Sequence, residues 1–308
     1  VARDIGNLKG ATMSDRDRFI SGVPCWVDTT QPDPKAAVDF YDRLFGWVLE
    51  DTMPPDAPGQ YFIARLGGRE VAAISSPMGD APPRATWNTY VWVDSADETA
   101  ARVRDAGGAV LSEPFDVMEA GRMAVFSDPA GAVFSAWQAN EHRGAEVVNE
   151  AGSLNFNNLN TSDPGGAKAF YRAVFGWKVL ALDGGFEMWT LPGYGDFLEQ
   201  LNPGTLNGMA QSGAPDGFEN VVASLNPIPE DQPDAPPHWG VTFAVDDADA
   251  IAERAAELGG AVVAEPFDAP WVRMTVITDP QGATFTASKF VPENRDLASP
   301  ADLAAGGS

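Results

Sequence analysis

Side chains able to carry a proton or hold a metal are few in this sequence. Two histidines, His142 and His238, and a single cysteine, Cys25, stand among 308 residues. His238, in PPHWG, opens a predicted strand. There it serves either as a neutral hydrogen-bonding or proton-transfer group of a pocket, or simply as a loop histidine. Glu187, in GGFEMWTL, sits between Phe186 and Met188. Shielded from water such a carboxylate can act as acid or base; on an edge strand it is a surface group. One cysteine excludes an intramolecular disulfide and any cysteine-based zinc site. Asp28 follows Trp26 by two residues, so in a strand both point the same way. By the same rule Asn88, Tyr90 and Trp92 share one face, and Trp87, Thr89, Val91 and Val93 share the other. Cys25 then turns away from Trp26, toward the packed side. No G-x-S-x-G, P-loop or dinucleotide fingerprint occurs, and no nucleophile–histidine pair has a local signature.

The elements that must position these residues are written twice. FYDRLFGW at 40–47 returns as FYRAVFGW at 170–177, each preceded by Asp-Pro. VWVDSADE matches FAVDDADA, AGGAVLSEPFD matches LGGAVVAEPFD, and SDPAGAVFSAW matches TDPQGATFTAS. The spacing between copies widens along the chain, which predicts an insertion in the second copy, within the Gly/Pro/Asn-rich stretch 193–237. Each copy reads as strand, helix and short strands, then the same again. Asp at the N-cap, Pro at the first helical position and Gly after FYxxxF delimit the first helix. Phe40, Tyr41, Leu44 and Phe45 fall on its buried face. Helices returning to alternating strands predict an α+β fold. The expected organisation is an N-terminal extension over 1–18, module 1 over 19–143, a linker over 144–149, module 2 over 150–291 and a disordered tail over 292–308. Met13 fits a natural start, with residues 1–12 upstream of it.

Bulk properties narrow the partners. Hydrophobic residues make up 44% of the chain, enough for a packed core. The net charge of −24 repels nucleic acid and anionic lipid, so neither is expected as a partner, and a solubilising surface accounts for it. No apolar run reaches the ~20 residues of a membrane span. A lone cysteine fits a reducing cytoplasm. A monomer or homodimer with a small-molecule ligand or substrate is the expected form.

These motifs resemble the vicinal oxygen chelate superfamily of glyoxalases, bleomycin-resistance proteins and extradiol dioxygenases. FYxxxFGW after Asp-Pro, VDDADA before a Gly-Gly helix end and DPxGAxF carry the resemblance, which covers nearly all of both modules. It is closest to tandem actinobacterial members labelled glyoxalase-like or hydroxylase-like. The resemblance implies paired βαβββ units curled into a mostly antiparallel sheet, with helices on the convex side and the ligand on the concave side. It also implies metal ligands at three strand positions, which here hold Trp26, Asn88 and Ser135 in module 1 and Phe156, Gly240 and Thr286 in module 2. None is a good ligand for zinc, iron or manganese, so no metal and no cofactor are expected.

Alternation then lists the concave lining. Module 1 presents Trp26, Tyr90, Trp92 and Trp137 with Asp28, Asn88 and Ser135. Module 2 presents a smaller, more polar set: Phe156, Asn158, His238, Gly240, Thr242, Thr286 and Ser288. Aromatic walls with a few polar points suit a flat organic ligand; the same residues could equally fill a core. The leading expectation is a metal-independent protein binding a small aromatic molecule, accessory to natural-product metabolism or resistance. A metal-free isomerase, cyclase or hydroxylase-like enzyme using Asp28, Glu187 or His238 is the first alternative. A metal-dependent glyoxalase or dioxygenase is the second.

Overall fold

The computed structural model describes residues 18–77, 84–182, 185–229, 231–232, 234–295 and 297. Most of the expected N-terminal extension and tail therefore lies outside the described residues.

Module 1 runs β1 (Pro24–Thr30), α1 (Pro34–Phe45), β2 (Val48–Asp51), β3 (Tyr61–Leu66) and β4 (Arg69–Ser75). A second unit follows: β5 (Thr86–Trp92), α2 (Ala96–Asp105), β6 (Ala109–Val117), β7 (Gly121–Ser127) and β8 (Val133–Ala139). Together the strands form one eight-stranded sheet in the order β2-β3-β4-β1-β5-β8-β7-β6. β1 runs parallel to β4 and β5 parallel to β8; the other neighbours are antiparallel. Module 2 repeats this with β9 (Leu154–Thr161), α3 (Pro164–Phe175), β10 (Lys178–Ala181), β11 (Glu187–Thr190) and β12 (Val221–Pro227). Its second unit is β13 (His238–Ala244), α6 (Ala248–Glu257), β14 (Ala261–Ala269), β15 (Val272–Thr278) and β16 (Thr284–Phe290). The second sheet has the matching order β10-β11-β12-β9-β13-β16-β15-β14. The fold is thus α+β, with two tandem modules of paired βαβββ units.

The insertion is more confined than the sequence suggested. Where β3 and β4 meet at Gly67–Gly68, β11 and β12 are separated by residues 191–220, which hold α4 (Tyr194–Leu201) and α5 (Thr205–Ser212). Beyond β16, residues 292–294 form a 3-10 turn. Asn294 Nδ2 there donates to Asp268 Oδ1 at 3.0 Å and to the Val272 carbonyl at 3.1 Å. These two bonds tie the turn to the end of the β14–β15 hairpin.

Local signals explain α1 and α3. Asp33 caps α1 by accepting from the Ala36 N–H at 3.1 Å, and Asp163 caps α3 from Gly166 at 2.8 Å. Gly46 and Gly176 end them in the left-handed conformation (φ 70° and 74°), which other residues adopt at a cost. Both helices do more than cover their own sheet. Phe45 and Trp47 pack on Phe243 of module 2 at 5.1 and 5.5 Å between ring centroids. Phe170 and Tyr171 pack on Phe134 of module 1 at 6.1 and 5.6 Å. Each hydrophobic core therefore joins one half of module 1 to the opposite half of module 2. Gly108 belongs to this seam: a Cβ there would come 2.7 Å from the Phe170 ring. The expected linker is also pinned, since the Ala145 N–H donates to the Cys25 carbonyl at 2.8 Å and the Glu146 N–H to the Glu70 carbonyl at 2.7 Å.

With the helices on one face, the other face of each sheet is left to carry a site. Val27 packs toward α1, so Trp26 and Asp28 point the opposite way.

Candidate ligand-binding site

Three adjacent strands assemble the helix-free face of module 1. Across β1 and β5, Trp26 stands opposite Tyr90 and Asp28 opposite Asn88. Across β5 and β8, Tyr90 stands beside Ser135 and Trp92 beside Trp137. At its centre lies Asp28, 2% exposed. Asn88 Nδ2 donates to its Oδ1 at 2.8 Å, while the hydroxyls of Tyr90 and Tyr61 donate to its Oδ2 at 2.8 and 3.2 Å. Trp26 Nε1 donates to the Tyr61 oxygen at 3.0 Å, and Asn88 also donates to Thr30 Oγ1 at 3.1 Å.

Asp28 thus has three neutral donors and, among the described residues, no ion-pair partner. Burial pushes its carboxyl above the ordinary range; the hydrogen bonds from Asn88, Tyr90 and Tyr61 pull the other way and are outweighed. Burial, reinforced by the Asp28 charge, lifts both phenols well above their usual value, so they act as donors. Trp26 and Trp137 are buried, whereas Tyr61, Asn88 and Tyr90 are only half-buried. Tyr61, Asn88 and Tyr90 thus lie nearer the surface than the carboxyl they hold.

Two members of this cluster were not among the lining residues expected from the sequence. Tyr61 comes from β3. His142 follows β8, its ring edge-to-face with Trp26 at 4.4 Å and with Trp137 at 5.6 Å. Nδ1 of His142 lies 3.1 Å from Glu70 Oε2. His142 and, after it, Arg65 at 2.9 Å hold the Glu70 carboxyl below its usual range.

The remaining sequence-derived candidates are dispersed. Trp92 lies two residues along β5 from Tyr90, about 7 Å at strand rise. It lines a cleft of about 820 Å³ with Phe19, Ile20, Asp94 and, from α4, Phe197 and Leu201. None of Trp26, Asp28, Tyr61, Asn88 or Tyr90 lines this cleft. On module 2, Asn158 takes the place of Asp28, accepting from Ser224 Oγ and donating to Thr242 Oγ1, both at 2.7 Å. Phe156 stands opposite Thr242, and Thr242 beside Thr286. This face has amides and hydroxyls but lacks the carboxylate and phenols.

Glu187 and His238 do not join either cluster. Glu187 shares a strand face with Trp189, which packs on Tyr171, and it pairs with Lys168 of α3 at 2.7 Å. Alternation therefore turns it to the helix side, away from the expected site. His238 is exposed at the start of β13, with Nδ1 2.9 Å from the Pro236 carbonyl and Nε2 3.3 Å from Asn160 Nδ2. Cys25 is wholly buried, with its thiol pushed up by desolvation.

The metal positions implied by the resemblance hold an indole, an amide and a hydroxyl in module 1. In module 2 they hold a phenyl ring, no side chain and a hydroxyl. Trp26 can only donate, and it donates to Tyr61. Among the described residues no group of three or more His, Cys, Asp or Glu is placed to hold a metal ion. These residues do not fit the family metal.

Two sheets of paired βαβββ units, seamed through their helices, define a recognisable class. The family model described as the Glyoxalase/Bleomycin resistance protein/Dioxygenase superfamily matches residues 26–136 and 153–286, and the chain belongs to that superfamily. It is 40% identical over 285 residues to "Putative glyoxylase CFP32" of Mycobacterium bovis, covering 91% of this chain and all of that one. It is 36% identical over 282 residues to "Anthracycline biosynthesis protein DnrV" of Streptomyces peucetius, covering 87% of this chain and 94% of that one. Among solved structures, the Mn(II)-bound glyoxalase of Novosphingobium aromaticivorans superposes with a TM-score of 0.56 at 18% identity, covering 88% and 83%. The 2,3-dioxygenase LapB of Pseudomonas sp. KL28 gives 0.56 at 12% identity, covering 88% and 93%. At these identities the structural likeness is one of fold. Among the described residues no helix is long and apolar enough to cross a membrane.

Proposed function

We propose that module 1 binds a small aromatic organic molecule on its helix-free face, without the family metal. The observation that carries this reading is the buried Asp28, held by Tyr61, Tyr90 and Asn88 beside the Trp26–Trp137–His142 aromatic group. A buried carboxyl without a cation opposes stability, and module 2 keeps the same fold with Asn158 in that place. The stacking surface suits a flat ring, and the half-buried Tyr61, Tyr90 and Asn88 side chains orient its polar edge. The relative named for anthracycline biosynthesis supports an aromatic natural product or its precursor as the ligand class.

Titration of the protein with a panel of aromatic metabolites, followed by tryptophan fluorescence, tests the proposal. Saturable quenching that weakens in Trp26→Ala and Asp28→Asn is the expected result. No quenching across the panel defeats it.

A second reading is favoured by the elevated proton affinity of Asp28: a metal-free enzyme in which this carboxyl moves a proton. Turnover that survives a chelator and collapses in Asp28→Asn distinguishes it from passive binding.

A further inference from the structure

His142 enters the module 1 site from the segment after β8. Its Nδ1 faces Glu70, whose carboxylate also takes Arg65 at 2.9 Å, and Arg65 is shared with Glu50 at 2.9 Å. The backbone N–H of Glu70 donates in turn to Glu146 Oε2 at 2.9 Å. An ionised carboxylate only accepts, so this contact places a proton on Nδ1, and in that neutral tautomer Nε2 carries the lone pair. Nε2 is buried and has no hydrogen-bond partner. Buried ring nitrogens in folded proteins are rarely left this way, and those that are call for a functional explanation. Trp26 and Trp137 flank the ring. The His142 side chain as a whole keeps 17% of its surface exposed.

The surroundings select the ligand chemistry. Arg65 is already divided between Glu50 and Glu70, so it offers no free cation to recruit a preformed anion. A neutral aromatic molecule with an acidic O–H satisfies both the ring surfaces and the lone pair. We infer that His142 is the base of the module 1 site, oriented by Glu70, and that Nε2 takes the proton of a phenolic ligand lying against Trp26 and Trp137. The O–H bond breaks, an N–H bond forms on Nε2, and the electron pair stays on the phenolate oxygen. The resulting imidazolium sits between that oxygen and Glu70, and no oxidant or further reactant enters. This inference rests on the module 1 binding reading and adds its proton acceptor and ligand class.

The probe is 4-nitrophenol, whose neutral and ionised forms absorb differently, in buffer where the free probe is mostly protonated. Fluorescence quenching reports binding and absorbance reports ionisation. With the wild-type chain, the bound probe should be ionised in at least about tenfold excess over the free probe, equivalent to one unit of pKa. Glu70→Gln should still quench but lose that excess, and His142→Gln should lose the excess whatever its effect on quenching. Nitrogen NMR of labelled histidine in the unmutated chain gives a readout independent of any folding defect. One of the two histidine Nε2 signals should move from the lone-pair to the N–H range on adding the probe. Quenching without excess ionisation, or an excess that persists in His142→Gln, or an unmoved Nε2 signal with probe bound, overturns the inference and leaves the binding reading standing. No quenching by nitrophenol or any other aromatic ligand overturns both.

Discussion

The Tyr41 hydroxyl donates to Asp279 Oδ2 at 2.9 Å, joining residues 238 positions apart, and Tyr171 makes the same contact with Asp128 at 3.2 Å. Trp87 Nε1 donates to Tyr41, and Trp239 Nε1 to Tyr171, at 3.2 and 2.8 Å. The tyrosine of each FYxxxFGW segment thus reaches the Asp-Pro turn of the opposite module. The two motifs that repeat most clearly in the sequence are the two halves of one exchanged contact. The seam also fixes the strands behind the Asp28 cluster, since Trp87 on β5 packs there while Asn88 faces the site.

Tyr41→Phe should therefore destabilise the whole chain, not one module. It leaves the buried Trp87 N–H without its acceptor, at a cost of about 1–3 kcal/mol. Urea unfolding followed by tryptophan fluorescence and by far-UV circular dichroism should show one coincident transition at lower midpoint. Two separate transitions, with only one moved, would contradict a shared core.

Asp28→Asn should raise stability at neutral pH. The folded carboxyl binds its proton more tightly than the unfolded one. Stability therefore falls as pH rises from the ordinary aspartate value, about 3.9, through the elevated folded value, and the loss persists above it. Each tenfold gain in proton affinity corresponds to about 1.4 kcal/mol. The amide removes that penalty, so the gain over wild type should be largest near pH 7 and fade toward pH 4. Module 2 already folds with Asn158 at the equivalent place. A gain equal at both pH values, or a net loss near pH 7, would show that the hydrogen bonds outweigh desolvation.

How much of this was legible from residues alone depends on the range of the pattern involved. Asp33, Pro34 and Gly46 announce α1 because caps act within a turn. Alternation pairs Trp26 with Asp28 and Asn88 with Tyr90 because the side-chain period of a strand is two. Tyr61 and His142 escaped because neither lies on the strands whose alternation was followed: Tyr61 reaches Asp28 from β3, and His142 reaches Glu70 from the segment after β8. Glu187 misled because its apolar neighbours suggest a pocket, whereas only the register of β11 shows that it faces Lys168. The reach of α1 and α3 into the opposite module has no local signal at all.

Trp26→Ala and Trp92→Ala should separate the two places a ligand could occupy. Trp26 touches His142 and Tyr61, whereas Trp92 lines the cleft against α4. Loss of a tryptophan that packs on an aromatic ligand should weaken its binding by about 0.5–1.5 kcal/mol beyond the lost area. We expect that loss for Trp26→Ala and a smaller one for Trp92→Ala, measured by calorimetry with a ligand from the quenching panel. The reverse order would move the site into the cleft beneath Phe197.

Chelation should leave ligand binding unchanged. Divalent zinc, iron and manganese want imidazole, carboxylate or thiolate donors. The family positions offer Trp26, Asn88 and Ser135, and the nearby Asp28 is already surrounded by three donors that compete for its oxygens. His142 is tied through Nδ1 to Glu70, and one imidazole nitrogen does not make a site. Elemental analysis of protein purified without chelator should give well under one metal per chain, and dialysis against EDTA should not alter the fluorescence titration. Stoichiometric zinc, nickel, manganese or iron, with binding lost on its removal, would place a metal at donors other than these and overturn the metal-independent reading.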